Sequence, residues 1–423
     1  MNEQAVDTTV LDSGVRIVSL SMPHLYSVSM GVWVDVGARD EKAAESGLSH
    51  FIEHMIFKGT VRRSAFEIAK AFDAIGGQTN AFTTQEHTCY YARVLNSELS
   101  TMVDILSDIF LNSVFDETAV AQERPVILQE IGMVEDSPEE WVHTLIGPAF
   151  WGDHALGRSI LGTPENLMAF DGKTLRDFFR RLYQPERIVI AVAGPVVHDR
   201  LVELLTPFFG ALFPSGNGFP PRHAPTTQNN TMARHRDLEQ THICLGLPGL
   251  CVSDSRRFSL SLLNTLLGGN MSSRLFQTIR EERGLAYSIY SFLSAYTDAG
   301  MVGVYTAVAP DDVAESLFLI MDEIDRFKHK AVSEEMLSDA KAYTRGNLLI
   351  AEECPDSQMM RLGWNALYFD TVMPVRTVLE QIDAVTPSDI CSLANDLWKT
   401  GRPALSLIGP GADRLNVDIL PGF

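Results

Sequence analysis

The chain has 423 residues, of which 45% are hydrophobic and 21% charged. This composition is typical of a globular protein with two or three domains and excludes a fibrous or disordered class. The formal charge of −20, from 54 acidic and 34 basic residues, argues against nucleic acid as the main partner, because phosphate binding needs a basic patch. An acidic surface keeps a protein soluble and also favours basic ligands.

The N-terminus and the cysteines indicate the compartment. The opening MNEQAVDTTV has neither the basic start nor the apolar core of a signal peptide. No later segment approaches about 18 uninterrupted apolar residues, the length that a membrane helix needs. The five cysteines are scattered and form no CxxC pair, which is typical of reduced thiols. We therefore expect a soluble, cytoplasmic protein with no membrane span.

The first chemically informative segment is GLSHFIEHMIFKG, residues 47–59. Its apolar residues recur at i, i+3, i+4, i+7 and i+8, which predicts a helix that buries one face. Ser46 is placed to cap this helix and Gly59 to end it. At about 100° per residue, the two histidines of the segment project within roughly 40° of each other, with a glutamate between them.

Two imidazoles and a carboxylate on one helix face suit zinc, which at a catalytic site takes three protein ligands and one water. His50 and His54 are candidates for two of the ligands, and Glu53 is placed to take a proton from the zinc-bound water. This HxxEH order is that of the inverzincins, the inverse of the zincin HExxH. Histidines on the surface of an amphipathic helix are the alternative, so a third ligand is needed.

The next segment, GGQTNAFTTQEHTCYYARV from Gly76, predicts a glycine-led turn into a strand, because β-branched and aromatic residues alternate along it. By itself this pattern indicates an ordinary strand. We expect His87 to face solvent or a neighbouring side chain rather than a metal.

A second helix is predicted from Asp116, its cap, through DETAVAQERPVILQEIGMVED. Glu123 and Glu130 are seven residues apart, close to two turns, so both carboxylates can face the same side. Glu130 is the candidate third ligand, and Glu123 is a candidate for orienting a histidine or for neutralising the charge of the site. If the helix starts afresh at Pro125, the two glutamates lose their fixed relation, which puts the role of Glu123 in question.

The chain divides near its middle. Residues 214–230 are rich in Pro, Gly, Asn and Thr and predict an exposed linker between an N-terminal domain, 1–213, and a C-terminal domain, 231–423. Each half opens with strand-like alternation, continues through amphipathic helices and closes with a buried strand that ends in Gly-Pro.

A constant offset relates the two halves. The closing prolines, Pro195 and Pro410, are 215 residues apart, and so are Gly31 and Gly246, which indicates an internal duplication of an α+β unit. At this offset the metal motif falls on residues without ligands: Thr265, Gly268 and Gly269. We therefore expect only the N-terminal domain to bind zinc through this helix.

These motifs together resemble the pitrilysin, insulinase and mitochondrial processing peptidase family of zinc metallopeptidases. The resemblance includes HFIEH, Glu130 of VILQEI 76 residues after His54, YQPERIVIAVAGP, and LLGGNMSSRLFQTIREERGLAYSIYS. It extends over essentially the whole chain and is closest in size to the processing-peptidase-like branch. It implies an α+β fold of two homologous α/β-sandwich domains, which pair into a clam-like chamber on dimerisation.

The resemblance also implies roles for individual residues. The ligands of one Zn²⁺ per chain are His50, His54 and Glu130, with Glu53 as general base and Glu123 as the supporting carboxylate. An extended peptide adds as a further strand beside Asn80, Ala81 and Phe82.

Arg280 and Tyr287 lie seven residues apart in IREERGLAY. By resemblance they reach the active site from the opposite half of the chamber, where they bind substrate carbonyls and help to hold the developing oxyanion. Here a second chain must supply that half, so we expect a homodimer or a heterodimer with a related subunit.

The expected function is that of a zinc endopeptidase that hydrolyses peptides or unfolded segments in an enclosed chamber. Basic peptides are favoured if the acidic residues line that chamber. The alternative from another class is a non-catalytic structural or regulatory subunit of a processing-peptidase-like complex, which has no need to retain His50, Glu53, His54 and Glu130 together. A third reading is metal binding without hydrolysis.

Overall fold

A computed structural model describes residues 6–213, 219–399 and 402–414. These residues form two compact units. The first unit contains residues 6–132, 158–213, 219–222 and 349–374, and the second unit contains residues 133–157, 223–348, 375–399 and 402–414. Each unit consists of one β-sheet with helices on its faces.

The sheet of the first unit has six strands in the order β1-β2-β6-β3-β5-β4. The β2–β6 pair is parallel and the other neighbours are antiparallel. The central strands β3 and β6 are buried along nearly their whole length, as expected for strands covered on both faces. The strands are β1 (Val6–Val10), β2 (Arg16–Ser21), β3 (Ser27–Val34), β4 (Gln78–Thr83), β5 (Thr88–Leu95) and β6 (Ile188–Gly194).

The sheet of the second unit has five strands in the order β7-β11-β8-β10-β9. The parallel β7–β11 pair corresponds to β2–β6, and β8, which contains Gly246, takes the place of β3, which contains Gly31. The predicted α+β fold with two similar domains is therefore confirmed. The strands are β7 (Thr231–His235), β8 (Thr241–Pro248), β9 (Ala286–Ala295), β10 (Gly300–Val308) and β11 (Ala404–Gly409).

The described residues contain fourteen α-helices, and residues Phe276–Glu282 form a π-helix. In the described part of the chain no helix is both long and apolar enough to span a membrane. The helices are α1 (Leu48–Met55), α2 (Ala65–Ala74), α3 (Leu99–Leu111), α4 (Glu117–Asp136), α5 (Pro138–Trp151), α6 (Pro164–Ala169), α7 (Gly172–Leu182), α8 (His198–Phe209), α9 (Arg257–Leu267), α10 (Val313–His329), α11 (Glu334–Ala351), α12 (Pro355–Phe369), α13 (Val375–Ala384) and α14 (Pro387–Trp398).

The two halves of the chain exchange one helix each. Helix α5, from the N-terminal half of the chain, packs Val142, Ile146 and Phe150 against the sheet of the second unit. Helix α12, from the C-terminal half, packs Met359 and Leu362 against the sheet of the first unit. The compact units therefore differ from the linear division at 1–213 and 231–423, because each sheet buries one of its faces under a helix from the other half of the chain.

The predicted linker lies partly in the described residues. Residues 214–218 fall outside them, and residues 219–230 form neither helix nor strand. Arg222 nevertheless anchors this segment to the first unit: its guanidinium is 2.8 Å from both Asp35 Oδ1 and Asp40 Oδ2. It also donates a 2.8 Å hydrogen bond to the carbonyl of Glu86. The segment is therefore fixed at this residue, which the composition of the linker did not indicate.

Candidate metal centre

Helix α1 forms because its apolar face is buried. Leu48, Phe51, Ile52 and Met55 are each at most 1% exposed, and burying a side chain of this size stabilises a fold by about 1.5–3 kcal/mol. The polar residues of the helix are left on another face, where they approach α4 and β4. The period of the apolar residues therefore positions the candidate ligands.

The start of α1 differs from the prediction that Ser46 caps it. The N-cap residue is Gly47, whose φ of +102° favours glycine, and no side chain of the helix itself caps the end. The buried carboxylate of Glu41 does so from outside the helix, accepting hydrogen bonds from the backbone N–H of Gly47 at 2.8 Å and of Ser49 at 2.7 Å. Burial raises the pKa of Glu41 to about 8, whereas the helix dipole and the two N–H groups favour its ionised form.

His50, His54 and Glu130 converge. Glu130 Oε2 lies 3.6 Å from His50 Nε2 and 3.4 Å from His54 Nε2. Ligands about 2.05 Å from a tetrahedral zinc are separated from one another by about 3.3 Å, so these distances fit the ion. Two imidazoles and one carboxylate are also the donor types that a catalytic zinc uses. Among the described residues this is the one group of three or more metal-ligating side chains close enough to share an ion.

Helix α4 supplies both glutamates. It is continuous from Glu117 to Asp136 and includes Pro125, so it does not start afresh at the proline. Asp116 caps it as predicted, accepting hydrogen bonds from the N–H groups of Thr118 and Ala119. Glu123 and Glu130 therefore keep the two-turn spacing that brings both carboxylates towards α1.

Glu123 is buried beside His54. His54 Nδ1 donates to Glu123 Oε1 at 2.9 Å, which fixes the ring and leaves Nε2 directed to the side of Glu130. The other carboxylate oxygen of Glu123 lies 2.6 Å from the ammonium of Lys58. Lys58 thus compensates the charge of a carboxylate that is only 6% exposed.

The two histidines differ in pKa because their neighbours differ. Burial lowers the pKa of His50 to about 4, although the charge of Glu130 opposes this shift. Burial also acts to lower the pKa of His54, but hydrogen bonds and charge from Glu130 and Glu123 outweigh it and raise the pKa. The hydrogen bond from His54 lowers the pKa of Glu130, which keeps this carboxylate ionised.

Glu53 lies on the same helix between the two histidines. Burial raises the pKa of its carboxyl group, and a hydrogen bond from Thr83 opposes the shift. Thr83 Oγ1 donates this bond to Glu53 Oε2 at 2.5 Å. Because Thr83 is the last residue of β4, Glu53 is connected directly to the edge of the sheet.

The predicted substrate strand is β4, which holds Asn80, Ala81 and Phe82. Within the described residues β4 is the outermost strand of its sheet and pairs with β5 on one side. Phe82 packs edge-on against Trp33, with ring centroids 5.6 Å apart.

His87 follows the turn after β4. It is 8% exposed and lies among aromatic side chains, with its ring centroid 5.3 Å from that of Trp33 and its Nδ1 3.4 Å from the hydroxyl of Tyr368. Burial lowers its pKa to about 4. Of the two orientations expected for His87, the structure shows the one towards neighbouring side chains.

Arg280 and Tyr287 belong to the second unit. The guanidinium of Arg280 lies over the ring of Tyr287, 4.8 Å from its centroid, and over that of Phe276 at 4.7 Å. Tyr287 is 80% exposed. The two residues thus form one cation–π pair on the surface of their own unit.

Sequence reasoning missed three residues that hold the candidate centre: Glu41, Lys58 and Thr83. Glu41 and Thr83 act across the fold, and no spacing rule connects them to the HxxEH helix. Lys58 stood inside the quoted segment and lies four residues after His54. Lys58 could have been predicted, because a lysine one turn after His54 is close enough to pair with the carboxylate expected beside that histidine.

Comparison with known proteins agrees with this architecture. Residues 16–164 match the family model described as insulinase (peptidase family M16), and residues 169–343 match the model described as the peptidase M16 inactive domain. Both models describe domains of peptidase M16. The chain belongs to the peptidase M16, or insulinase, family.

Its relatives are zinc proteases by name. An uncharacterized zinc protease of Streptomyces coelicolor is 40% identical over 97% of this chain and 90% of its own length. The uncharacterized zinc protease YmxG of Bacillus subtilis is 39% identical over 95% of this chain and 97% of its own.

Two solved structures share the fold. A protease from Helicobacter pylori has a TM-score of 0.91 at 21% identity, covering 96% of this chain and all of its own. A peptidase M16 inactive domain structure from Pseudomonas fluorescens has a TM-score of 0.89 at 18% identity, covering 97% of this chain and 98% of its own. At these identities the likeness concerns the fold alone.

Proposed function

We propose that the protein is a zinc-dependent endopeptidase in which His50, His54 and Glu130 hold one Zn²⁺ and Glu53 is the general base. The observation that carries this proposal is that the Glu130 carboxylate lies 3.6 Å from His50 Nε2 and 3.4 Å from His54 Nε2. Glu53 lies on the same helix as the two histidines. The zinc-protease names of its relatives support it.

In the proposed hydrolysis, Glu53 transfers protons and Glu123 orients His54. When bound, zinc polarises a carbonyl and makes water easier to deprotonate. Glu53 accepts the proton of the attacking water on its carboxylate and returns it to the leaving amine. Its raised pKa suits both directions of transfer, because a base whose pKa lies nearer neutrality also serves as the acid. Glu123 keeps His54 in the tautomer that offers Nε2.

The substrate is proposed to be an extended peptide or an unfolded segment that adds to the open edge of β4 beside Asn80, Ala81 and Phe82. Main-chain hydrogen bonds supply affinity in this mode and demand little side-chain identity. A formal charge of −20 favours basic peptides wherever it lines the binding surface.

The experiment compares wild type with Glu53→Gln for zinc content and for cleavage of a peptide library. We expect the variant to retain zinc and to lose cleavage. Glu165→Gln on the exposed side of α6 is the matched control and is expected to leave both unchanged. Undiminished cleavage by Glu53→Gln rejects the base assignment.

The partner is proposed to be a second chain, identical or related, that contributes Arg280 and Tyr287 to the zinc site. The guanidinium of Arg280 already lies over the ring of Tyr287, and Tyr287 is exposed, which leaves the tyrosine hydroxyl available for a substrate carbonyl. Mixing Glu53→Gln with Tyr287→Phe subunits then creates one intact site per mixed dimer. Activity that stays at the level of the separate samples, although subunits exchange, contradicts this assignment.

The alternative is a non-catalytic structural or regulatory subunit, and the weaker third candidate is metal binding without hydrolysis. Neither requires a base beside the ligands. Zinc-loaded wild type that cleaves no member of the library would favour these candidates over the endopeptidase.

A further inference from the structure

Thr83 connects the candidate base to the strand proposed to receive substrate. We propose that Thr83 is a positioning residue that fixes the Glu53 carboxylate and makes its position depend on β4. This inference rests on the proposed peptidase function. Its starting point is the 2.5 Å hydrogen bond from Thr83 Oγ1 to Glu53 Oε2.

The side chains on the two faces of β4 contact different parts of the first unit. Successive side chains of a strand point to opposite faces, so Phe82 packs against Trp33 on one face while Thr83 points to α1 on the other. Thr79 lies on the same face as Thr83, but its hydroxyl donates to the carbonyl of Tyr91 at 3.1 Å, whereas that of Thr83 donates to Glu53. The bond occupies Oε2 and leaves Oε1 free for proton transfer.

The main chain of Thr83 is placed to bind substrate. The N–H of Thr84 donates to the carbonyl of His87 at 2.8 Å, and Thr83 is the next residue, opposite Thr88. Hydrogen-bonded and non-hydrogen-bonded pairs alternate in an antiparallel ladder, so the N–H and C=O of Thr83 point away from β5, to the open edge. A peptide that pairs at this edge binds the backbone of the same residue whose side chain holds Glu53.

The turn that follows β4 is held by hydrogen bonds to other segments of the first unit. The N–H groups of Ala38 and Arg39 donate to the carbonyls of Thr84 and Gln85 at 3.1 and 2.7 Å. The hydroxyl of Tyr368, on α12, donates to the Glu86 carboxylate at 2.9 Å. The turn that follows Thr83 thus restrains its backbone, and with it the position of its hydroxyl. A carboxylate on a rotatable side chain beside two metal ligands needs such a restraint, because it would otherwise turn towards the cation.

The test compares Thr83→Val, which keeps the shape and removes the hydroxyl, with Thr83→Ser, which keeps the hydroxyl. We expect Thr83→Val to lower kcat about 10- to 100-fold, the size of effect that misplacing a reacting group produces, with a smaller change in KM. Thr83→Ser is expected to recover most of kcat.

Several controls make the outcome decisive. Thr101→Val, an exposed threonine on α3, is the matched control and leaves activity unchanged. Thr83→Ala must reproduce the loss of kcat if the valine variant has a lower Tm. Wild-type kcat in Thr83→Val, or an equal loss in Thr83→Ser, overturns the proposal.

A spectroscopic readout separates this inference from the proposed function. With Co²⁺ in place of zinc, we expect Thr83→Val to alter the visible absorption bands of the metal and Thr83→Ser to restore them. If wild type cleaves no peptide, the proposed function has failed and the spectrum alone decides the role of Thr83. An unchanged spectrum then refutes it.

Discussion

Helices α1 and α9 occupy the same place in the two units, each being the first α-helix after the strand that contains Gly31 or Gly246. Both bury an apolar face: Leu48, Phe51 and Ile52 in α1, and several leucines in α9. Yet α9, RFSLSLLNTLL, contains no His, Cys, Asp or Glu. The apolar spacing that builds the fold is therefore independent of the polar positions that hold the candidate ligands.

The second unit has also closed the space that ligands would need. At the offset of 215 residues, Glu53 and His54 correspond to Gly268 and Gly269, which follow the end of α9. A Cβ added at Gly268 would lie 2.5 Å from the backbone nitrogen of Ser291, and one at Gly269 would lie 2.8 Å from Cα of Thr265. Close backbone packing here excludes the side chains that a metal site requires.

The largest effect is expected when Glu130, the candidate ligand on α4, is replaced. Glu130→Gln leaves two imidazoles without the carboxylate that completes the site, so we expect zinc to fall from one per chain to near zero after dialysis. Metal analysis of the purified protein measures it, with the exposed Glu135→Gln on the same helix as control. Zinc retained by Glu130→Gln would mean that other residues bind the ion.

A smaller effect on metal affinity is expected from Glu123, which contacts the candidate ligand His54. Glu123→Gln weakens the grip on the His54 ring and exchanges an ionised acceptor for an amide, which typically costs 10- to 100-fold in metal affinity. Competition with a chromophoric chelator measures the change. Lys58→Met should also lower the metal affinity, but by a smaller factor, because it leaves the His54–Glu123 hydrogen bond in place. Unaltered affinity in Glu123→Gln would show that His54 needs no such partner.

Local periodicity accounts for what the sequence predicted well. The 3.6-residue repeat placed His50 and His54 close together on α1, and the two-turn spacing placed Glu123 and Glu130 on one side of α4. Pro125 shows where a local rule is overridden: its cost of about 3 kcal/mol within a helix is accepted because Val120 and Ile127 on either side are buried in the core.

Contacts between distant segments account for what the sequence did not predict. The exchange of α5 and α12 depends on which face of each sheet is left without a packed helix. The sequence of neither helix specifies the sheet on which it packs. Arg222 looked like part of an exposed linker, because its partners Asp35 and Asp40 lie far away in the chain. Glu41 caps α1 across a loop, so the neighbouring Ser46 was the wrong choice of cap.

Glu41 provides a test at the start of α1. Glu41→Ala leaves the N–H groups of Gly47 and Ser49 buried without acceptors, which we expect to lower the free energy of unfolding by about 1–3 kcal/mol. Urea denaturation of the zinc-free protein measures the loss, with Glu165→Gln as the control for charge alone. Unchanged stability would show that water replaces the carboxylate.

The smallest expected effect concerns His143 of the second unit, which lies outside the candidate metal centre. Burial lowers the pKa of His143; its Nε2–H donates to the Tyr290 hydroxyl at 2.9 Å, and that hydroxyl donates to Glu139 at 3.0 Å. A second proton would have to enter at Nδ1, whose nearest recorded contact is Cys244 Sγ at 4.0 Å, a weak partner.

Since the folded state binds this proton less readily than the unfolded chain, the stability it contributes is present above pH 6.5 and is lost as the pH falls below that value. His143→Gln keeps a donor for Tyr290 but does not titrate. We therefore expect the free energy of unfolding to fall between pH 7.5 and 5.5 by less in His143→Gln than in wild type, with a difference below about 1 kcal/mol. Parallel urea titrations at the two pH values measure this difference, and equal pH dependence in the two proteins would show that His143 accepts its second proton without cost.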